Sequence, residues 1–231
     1  MSEEHLFAPA ALLDDGWARD VRVTIVGGQI SAVARGVNPQ PGDTHLRDRV
    51  LLPAPVNLHS HAFQRAMAGR NQTRGESADS FWSWRVLMYQ FLERLDPDAV
   101  EAIAALTQIE MCEAGFAAVA EFHYLHHAPG GVAYTNAAEM SARVIAASIE
   151  TGIGMTLLPV AYVAGGADGR AVSGGQLRFA CDLERYQQLW SGAADTLKLG
   201  APDAAIGIAP HSLRAVPREH LRALLALHTS A

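Results

Sequence analysis

The hydrophobic rhythm of the chain changes once, near residue 55. Residues from about Leu6 to Leu52 read as β-structure, and the clearest part alternates apolar and polar positions in twos. Val21-Arg-Val-Thr-Ile-Val26 has the side-chain period of a strand, Gly27-Gly28 marks a hairpin, and Gln29-Ile-Ser-Ala-Val-Ala34 resumes the alternation. A polar loop with Gly36, Pro39, Pro41 and Gly42 leads to a further strand over 49–52. The pattern predicts a small β-sandwich-like domain over residues 1–52, too little sheet to stand alone.

From Val56 onward the rhythm is strand, loop, helix. A short apolar run bounded by prolines ends at His59-Ser-His61. The segment 64–95 then carries a helix-like aromatic face, Phe81-Trp82-Ser-Trp84-Arg85 and Met88-Tyr89-Gln-Phe91-Leu92, read as core packing. Asp96-Pro97 supplies an N-cap and a first-turn proline for a helix through Ala99–Glu113, and Gly115 its stop. Phe116–Phe122 is a second strand, followed by His123-Tyr-Leu-His-His127. A helix over about 137–150 stops at Gly152, and Gly154–Tyr162 is a third strand, apolar throughout as if buried on both faces. The glycine-rich stretch Gly165–Gly175 reads as a mobile lid. A third helix spans Asp182–Lys198, a fourth strand Ala204–Ala209, and Pro217 opens a last helix with Leu221, Leu224, Leu225 and Leu227.

Four such units in series imply a parallel sheet with right-handed crossovers. The fold class is α/β: an N-terminal small β-domain, then the first half, about four β/α units, of a (β/α)8 TIM barrel over residues 53–231. A closed barrel needs eight units, so the barrel reads as truncated.

Composition narrows the partners. A net charge of −6 over 231 residues excludes the basic stripe that a nucleic-acid surface needs. There is neither an apolar run of membrane-spanning length nor a basic n-region at the N-terminus, so no membrane partner is expected and the cytoplasm is the expected compartment. Cys112 and Cys181 fall within the predicted helices, far apart and without CxxC spacing, and read as two reduced structural thiols.

Candidate chemistry concentrates at the predicted strand ends. Residues one apart on a strand face the same side, so His59 and His61 can converge on one metal ion with Ser60 turned away. Histidines also follow the second strand (His123, His126, His127) and the fourth (His211), while the third ends at Tyr162. Polar groups at one end of successive parallel strands match the place where barrel enzymes build their active sites.

Four linked motifs, Leu58-His-Ser-His-Ala-Phe-Gln-Arg65, Asp79-Ser-Phe-Trp-Ser-Trp-Arg85, Glu121-Phe-His-Tyr-Leu-His-His127 and Pro210-His-Ser-Leu-Arg-Ala-Val-Pro217, resemble formimidoylglutamate deiminase, of the amidohydrolase superfamily. The resemblance runs over nearly the whole chain and aligns it with the N-terminal half of that enzyme. It implies a β-domain before a barrel holding one zinc per subunit. It further implies hydrolysis of N-formimino-L-glutamate to N-formyl-L-glutamate and ammonia, a step of histidine degradation. His59 and His61 match the first two zinc ligands, and Gln64, Arg85, Tyr124, His211 and Arg214 match substrate-binding positions. Two guanidinium forks suit the two carboxylates of a glutamate moiety. No catalytic acid or base is matched within this chain, because in the family those residues and the remaining ligands lie on later strands, which places them beyond Ala231. His228, with no apolar strand before it, does not match the next ligand. This chain alone is therefore expected to be inactive. The partner implied is the small-molecule substrate, with a homodimer left open. Two other readings stand beside this one: another amidohydrolase, such as an aromatic-base deaminase or an imidazolonepropionase-like hydrolase, and a non-catalytic half-barrel that binds a partner.

Overall fold

The computed structural model of the protein describes residues 2–70, 81–201 and 203–229, with the backbone alone at 81–83 and 227–229. The chain divides into two units, residues 1–54 and 55–231.

The first unit is one sheet of five strands: β1 (Glu3–Leu13), β2 (Gly16–Val26), β3 (Gln29–Ala34), β4 (Thr44–His45) and β5 (Val50–Leu51). β1–β2 and β2–β3 are antiparallel hairpins, whereas β4 and β5 run parallel to β1. Gly27 and Gly28 close the second hairpin with φ of 58° and 83°, the left-handed pair that a tight primed turn demands. The alternation places Ala11, Val21 and Val23 on one face, with Leu6, Leu13, Ile25 and Leu51 packed against them. That small cluster is the core of the unit.

The second unit alternates strands and helices. Its elements are β6 (Val56–Ser60), α1 (Phe81–Leu92), α2 (Pro97–Glu113), β7 (Ala118–His123), α3 (Glu139–Thr151), β8 (Gly154–Ala161), α4 (Leu183–Gly200), β9 (Ala205–Ile206), β10 (Ala209–Pro210) and α5 (Arg218–Thr229). β6 pairs with β7, β7 with β8, and β8 with both β9 and β10, all in parallel. Consecutive strands are thus neighbours, as in a barrel wall. Helix ends follow the caps read from the sequence. Asp96 accepts from the Ala99 N–H at 2.8 Å, and Gly152 ends α3 in the left-handed conformation with φ 75°.

Four expectations need correction. The fourth strand is interrupted: β9 and β10 keep one register on β8, Ile206 opposite Leu157 and Ala209 opposite Val160. Between them the Gly207 carbonyl faces Pro159, which has no N–H to donate, and accepts instead from the Trp190 indole at 2.9 Å. β8 is buried on both faces only at its carboxyl end, over Pro159, Val160 and Ala161; before that, Met155 and Leu157 are buried while Thr156 and Leu158 are half-buried. Cys181 is not helical but sits just before Asp182, the N-cap of α4, and is buried, whereas Cys112 on α2 is exposed. The glycine-rich stretch is not a free lid along its whole length. Residues 167–171 are exposed, but Gly165 and Gly166 are buried, and the stretch runs into a short helical turn, Gly174–Arg178, whose Gln176 and Arg178 are buried. Both are polar, yet both are hydrogen-bonded, which makes their burial tolerable.

The main core lies between the sheet and the helices. Val119 of β7 and Met155 and Leu157 of β8 meet Val144 and Ile145 of α3 and Leu197 of α4. No helix of the described residues is long and apolar enough to cross a membrane.

Candidate active site

The carboxyl ends of the parallel strands and the turns that follow them line one cavity of about 350 Å³. His59 and His61 reach it from the end of β6, and Gln64 from the helical turn after it. Tyr124 follows β7, His211 and Arg214 follow β10, and Arg85 projects from α1. All seven residues singled out in the sequence therefore share one cavity. Asp79 and Ser80 of the second motif lie outside the described residues, as does the side chain of His228. Ala231, beyond which the catalytic acid and base are expected, lies outside them too.

One wall carries the histidines. The pairing of β6 with β7 shifts register between Asn57 and Ser60, and Asn57 Oδ1 accepts the His59 N–H at 3.0 Å. The His59 and His61 rings stand edge to face, centroids 4.9 Å apart. His61 Nδ1 lies 3.1 Å from the Phe122 carbonyl, which can only accept, so Nδ1 carries the proton and Nε2 keeps its lone pair. Burial, with the neighbouring His59 adding to it, holds the His61 pKa below its ordinary value. A neutral imidazole whose second nitrogen is fixed by a carbonyl is the form that ligates a metal. The pair fits part of a ligand set, because among the described residues no three His, Cys, Asp or Glu side chains gather into a metal site.

The rest of the lining carries the arginines. Arg85 Nε donates to the Tyr89 hydroxyl at 2.7 Å, with its guanidinium carbon 5.2 Å from the centre of that ring. Arg214 Nη1 donates to the Tyr162 hydroxyl at 3.3 Å. Gln64 Nε2 donates to the Tyr124 hydroxyl, and burial raises the pKa of that phenol. His211 stands edge-on to Tyr162, centroids 4.7 Å apart. Burial first, then the charge of Arg214, the neighbouring His61 and the charge of Arg85, push its pKa down to about 4, so it is a neutral imidazole at neutral pH. Among the described residues the lining includes two guanidinium groups and no carboxylate. That charge suits an acidic ligand, and phenol, amide and imidazole groups stand where they could orient one.

Five lining residues escaped the sequence reading: Trp84, Met88 and Tyr89, which were read as core packing, together with Tyr162 and Phe179. Tyr162 was visible as the residue ending the third strand, and Tyr89 lies one helical turn from Arg85. Phe179 carried no signal, since its place depends on how the preceding turn packs. A sixth, Glu121, stands behind the cavity at 2% exposure. Its Oε1 accepts the Ala62 N–H at 2.8 Å, it is hydrogen-bonded with the Ser60 side chain, and burial raises its pKa. A lone carboxylate in the apolar run Ala117–Phe122 was the available signal.

Comparison with known proteins agrees with this geometry. A family model described as Amidohydrolase family matches residues 50–230, and one described as Formimidoylglutamate deiminase HutF, N-terminal domain, matches residues 4–46. A curated formimidoylglutamate deiminase from Pseudomonas aeruginosa is 45% identical over 221 residues, 96% of this chain and 48% of that protein. The chain thus spans about half the length of that relative. A solved amidohydrolase from Brucella melitensis is 45% identical with a TM-score of 0.91, covering 99% of this chain and 50% of the other. Guanine deaminase from C. acetobutylicum, 14% identical with a TM-score of 0.71 over 99% of this chain and 51% of its own, shares the fold.

Proposed function

The chain belongs to the amidohydrolase family, and we propose that the intact protein is a formimidoylglutamate deiminase. It hydrolyses N-formimino-L-glutamate to N-formyl-L-glutamate and ammonia. The observation that carries this reading is the meeting of Arg85 and Arg214 with His59 and His61 in one cavity. A neutral aromatic base can accept from a guanidinium at one edge but brings no charge to pair with either group, whereas a dicarboxylate supplies one anion for each.

Amidohydrolases are usually metal-dependent. We take the metal to be zinc, one per subunit, held in part by His59 and His61. When bound, the metal supplies Lewis-acid activation of water. The residues of this chain do the rest of the positioning. Arg85 and Arg214 bind the two carboxylates, while the Tyr124–Gln64 pair and neutral His211 hold the formimino group with its carbon toward the histidine wall. Addition of one water across the C=N bond and loss of the terminal nitrogen as ammonia balance the reaction. The proton carrier and the remaining ligands are supplied from beyond Ala231, which the greater length of the relatives accommodates. Residues 1–231 by themselves should turn over no substrate. Two unpaired thiols accord with a cytoplasmic site of action.

The test is ammonia release by the intact protein from N-formimino-L-glutamate and, in parallel, from guanine. Turnover of the amidine and not the base is expected; the reverse would assign the protein to the base deaminases.

A further inference from the structure

The arginine wall contains a recognition unit larger than its arginines. We infer that Gln176, Tyr162 and Arg214 act together on one carboxylate: Gln176 positions Tyr162, and Tyr162 donates to the ligand beside Arg214. That the ligand is an N-substituted glutamate rests on the proposed function; the unit itself does not.

Gln176 is 6% exposed, and its neighbours dictate which way its amide faces. Nε2 lies 3.1 Å from the Gly165 carbonyl, which only accepts, and Oε1 lies 3.3 Å from the Ser173 N–H, which only donates. The 2.8 Å contact from Nε2 to the Tyr162 hydroxyl is therefore a donation to the phenol. Arg214 donates to the same oxygen. With both lone pairs of that oxygen occupied, the phenolic proton has to point elsewhere. Tyr162 is 2% exposed, and both it and Arg214 line the cavity. A buried O–H left without an acceptor is costly, so a carboxylate oxygen beside Arg214 gains a strong donor there.

The turn that carries Gln176 is well anchored. Two residues on, the wholly buried Arg178 guanidinium donates to the carbonyls of Leu92, Leu95 and His127, the last two at 2.8 Å. A cation at the carboxyl end of α1 is where the helix dipole favours one, and α1 carries Arg85. A Cβ at Gly175 would overlap the Tyr89 ring, the partner of Arg85. Phe179 packs edge-on against Tyr124 at 4.8 Å. One short turn thus abuts the immediate neighbours of both arginines.

The experiment measures binding to the intact, metal-stripped protein by calorimetry. The ligands are N-formyl-L-glutamate and two analogues that each lack one acid group, N-formylglycine and 4-formamidobutanoate. Arg214→Met identifies which analogue lacks the group Arg214 reads, as the one whose affinity does not change. Gln176→Leu and Tyr162→Phe should each weaken N-formyl-L-glutamate about tenfold and spare that same analogue. Equal losses for both analogues, or no loss, would overturn the unit, since a general packing role does not distinguish two carboxylates. Should Gln176→Leu fail to fold, Tyr162→Phe decides the matter, because it keeps the ring. Wild-type protein that binds an analogue but not N-formyl-L-glutamate would sink the deiminase reading and leave the unit to be judged on the analogue. Binding of none of the three would overturn both.

Discussion

The two walls of the cavity are built to different degrees within this chain. The histidine wall stands at the end of β6, where His59 is exposed and the Phe122 carbonyl orients His61. The arginine wall is finished. Arg85 and Arg214 each donate to a phenol, and the turn Gly174–Arg178 packs behind both phenols through buried, satisfied polar groups. On the proposed function, recognition of the acidic ligand and activation of water are therefore separable. In that reading the first rests largely on these residues, and the second calls for further groups.

The sharpest way to break that comparison is at the histidines. Replacing both His59 and His61 with Ala in the intact protein should abolish metal retention and turnover while leaving N-formyl-L-glutamate binding to the stripped protein intact. Metal analysis beside calorimetry reads both, and full metal content in the double variant would remove the pair from the ligand set. At the other wall, Arg85→Met should keep the metal and lose about 3 kcal/mol of transition-state binding, on the order of a hundredfold in kcat/KM. An unchanged kcat/KM would take Arg85 out of the site.

Histidines outside the cavity lining offer a third contrast. His123 on β7 is buried at 2% exposure, and desolvation pushes its pKa down to about 4. His126 is displaced in the same direction for the same reason. A group with a depressed folded-state pKa takes up its proton first in the unfolded chain. Its contribution is thus complete above the ordinary histidine value and lost as pH falls toward 4. For His123 that is on the order of 3 kcal/mol. Melting temperature should fall steadily as pH drops from about 7 to 4.5, and a flat profile would contradict this burial. The smallest effect is expected at Asp96→Ala, which removes the α2 cap at a cost of about 1 kcal/mol. Both walls should keep their affinities in that variant, and a change in either would mean that α2 is coupled to the cavity.

Much of this was legible in the sequence where local rules decide. The period-two alternation of β2 and β3, the cap at Asp96 and the stop at Gly152 each depend on a few adjacent residues, and each is in place. The convergence of seven residues from five segments was legible only through linked motifs, since spacing alone cannot bring Arg85 to Arg214. What stayed hidden depended on distant partners. Gln176 and Arg178 look like surface residues until the carbonyls of Gly165, Leu92 and His127 are placed beside them. The break at Gly207 needed the register that sets Pro159 opposite its carbonyl, which Trp190 from another element then satisfies.

Glu121 has a consequence for anyone who would transplant this pocket. It touches no ligand position, yet its carboxylate joins β7 to the Ala62 N–H and the Ser60 side chain, on either side of His61. A designer copying only cavity-facing residues onto another barrel would omit it. The grafted loop would then keep its histidines but lose the strut that aims one of them.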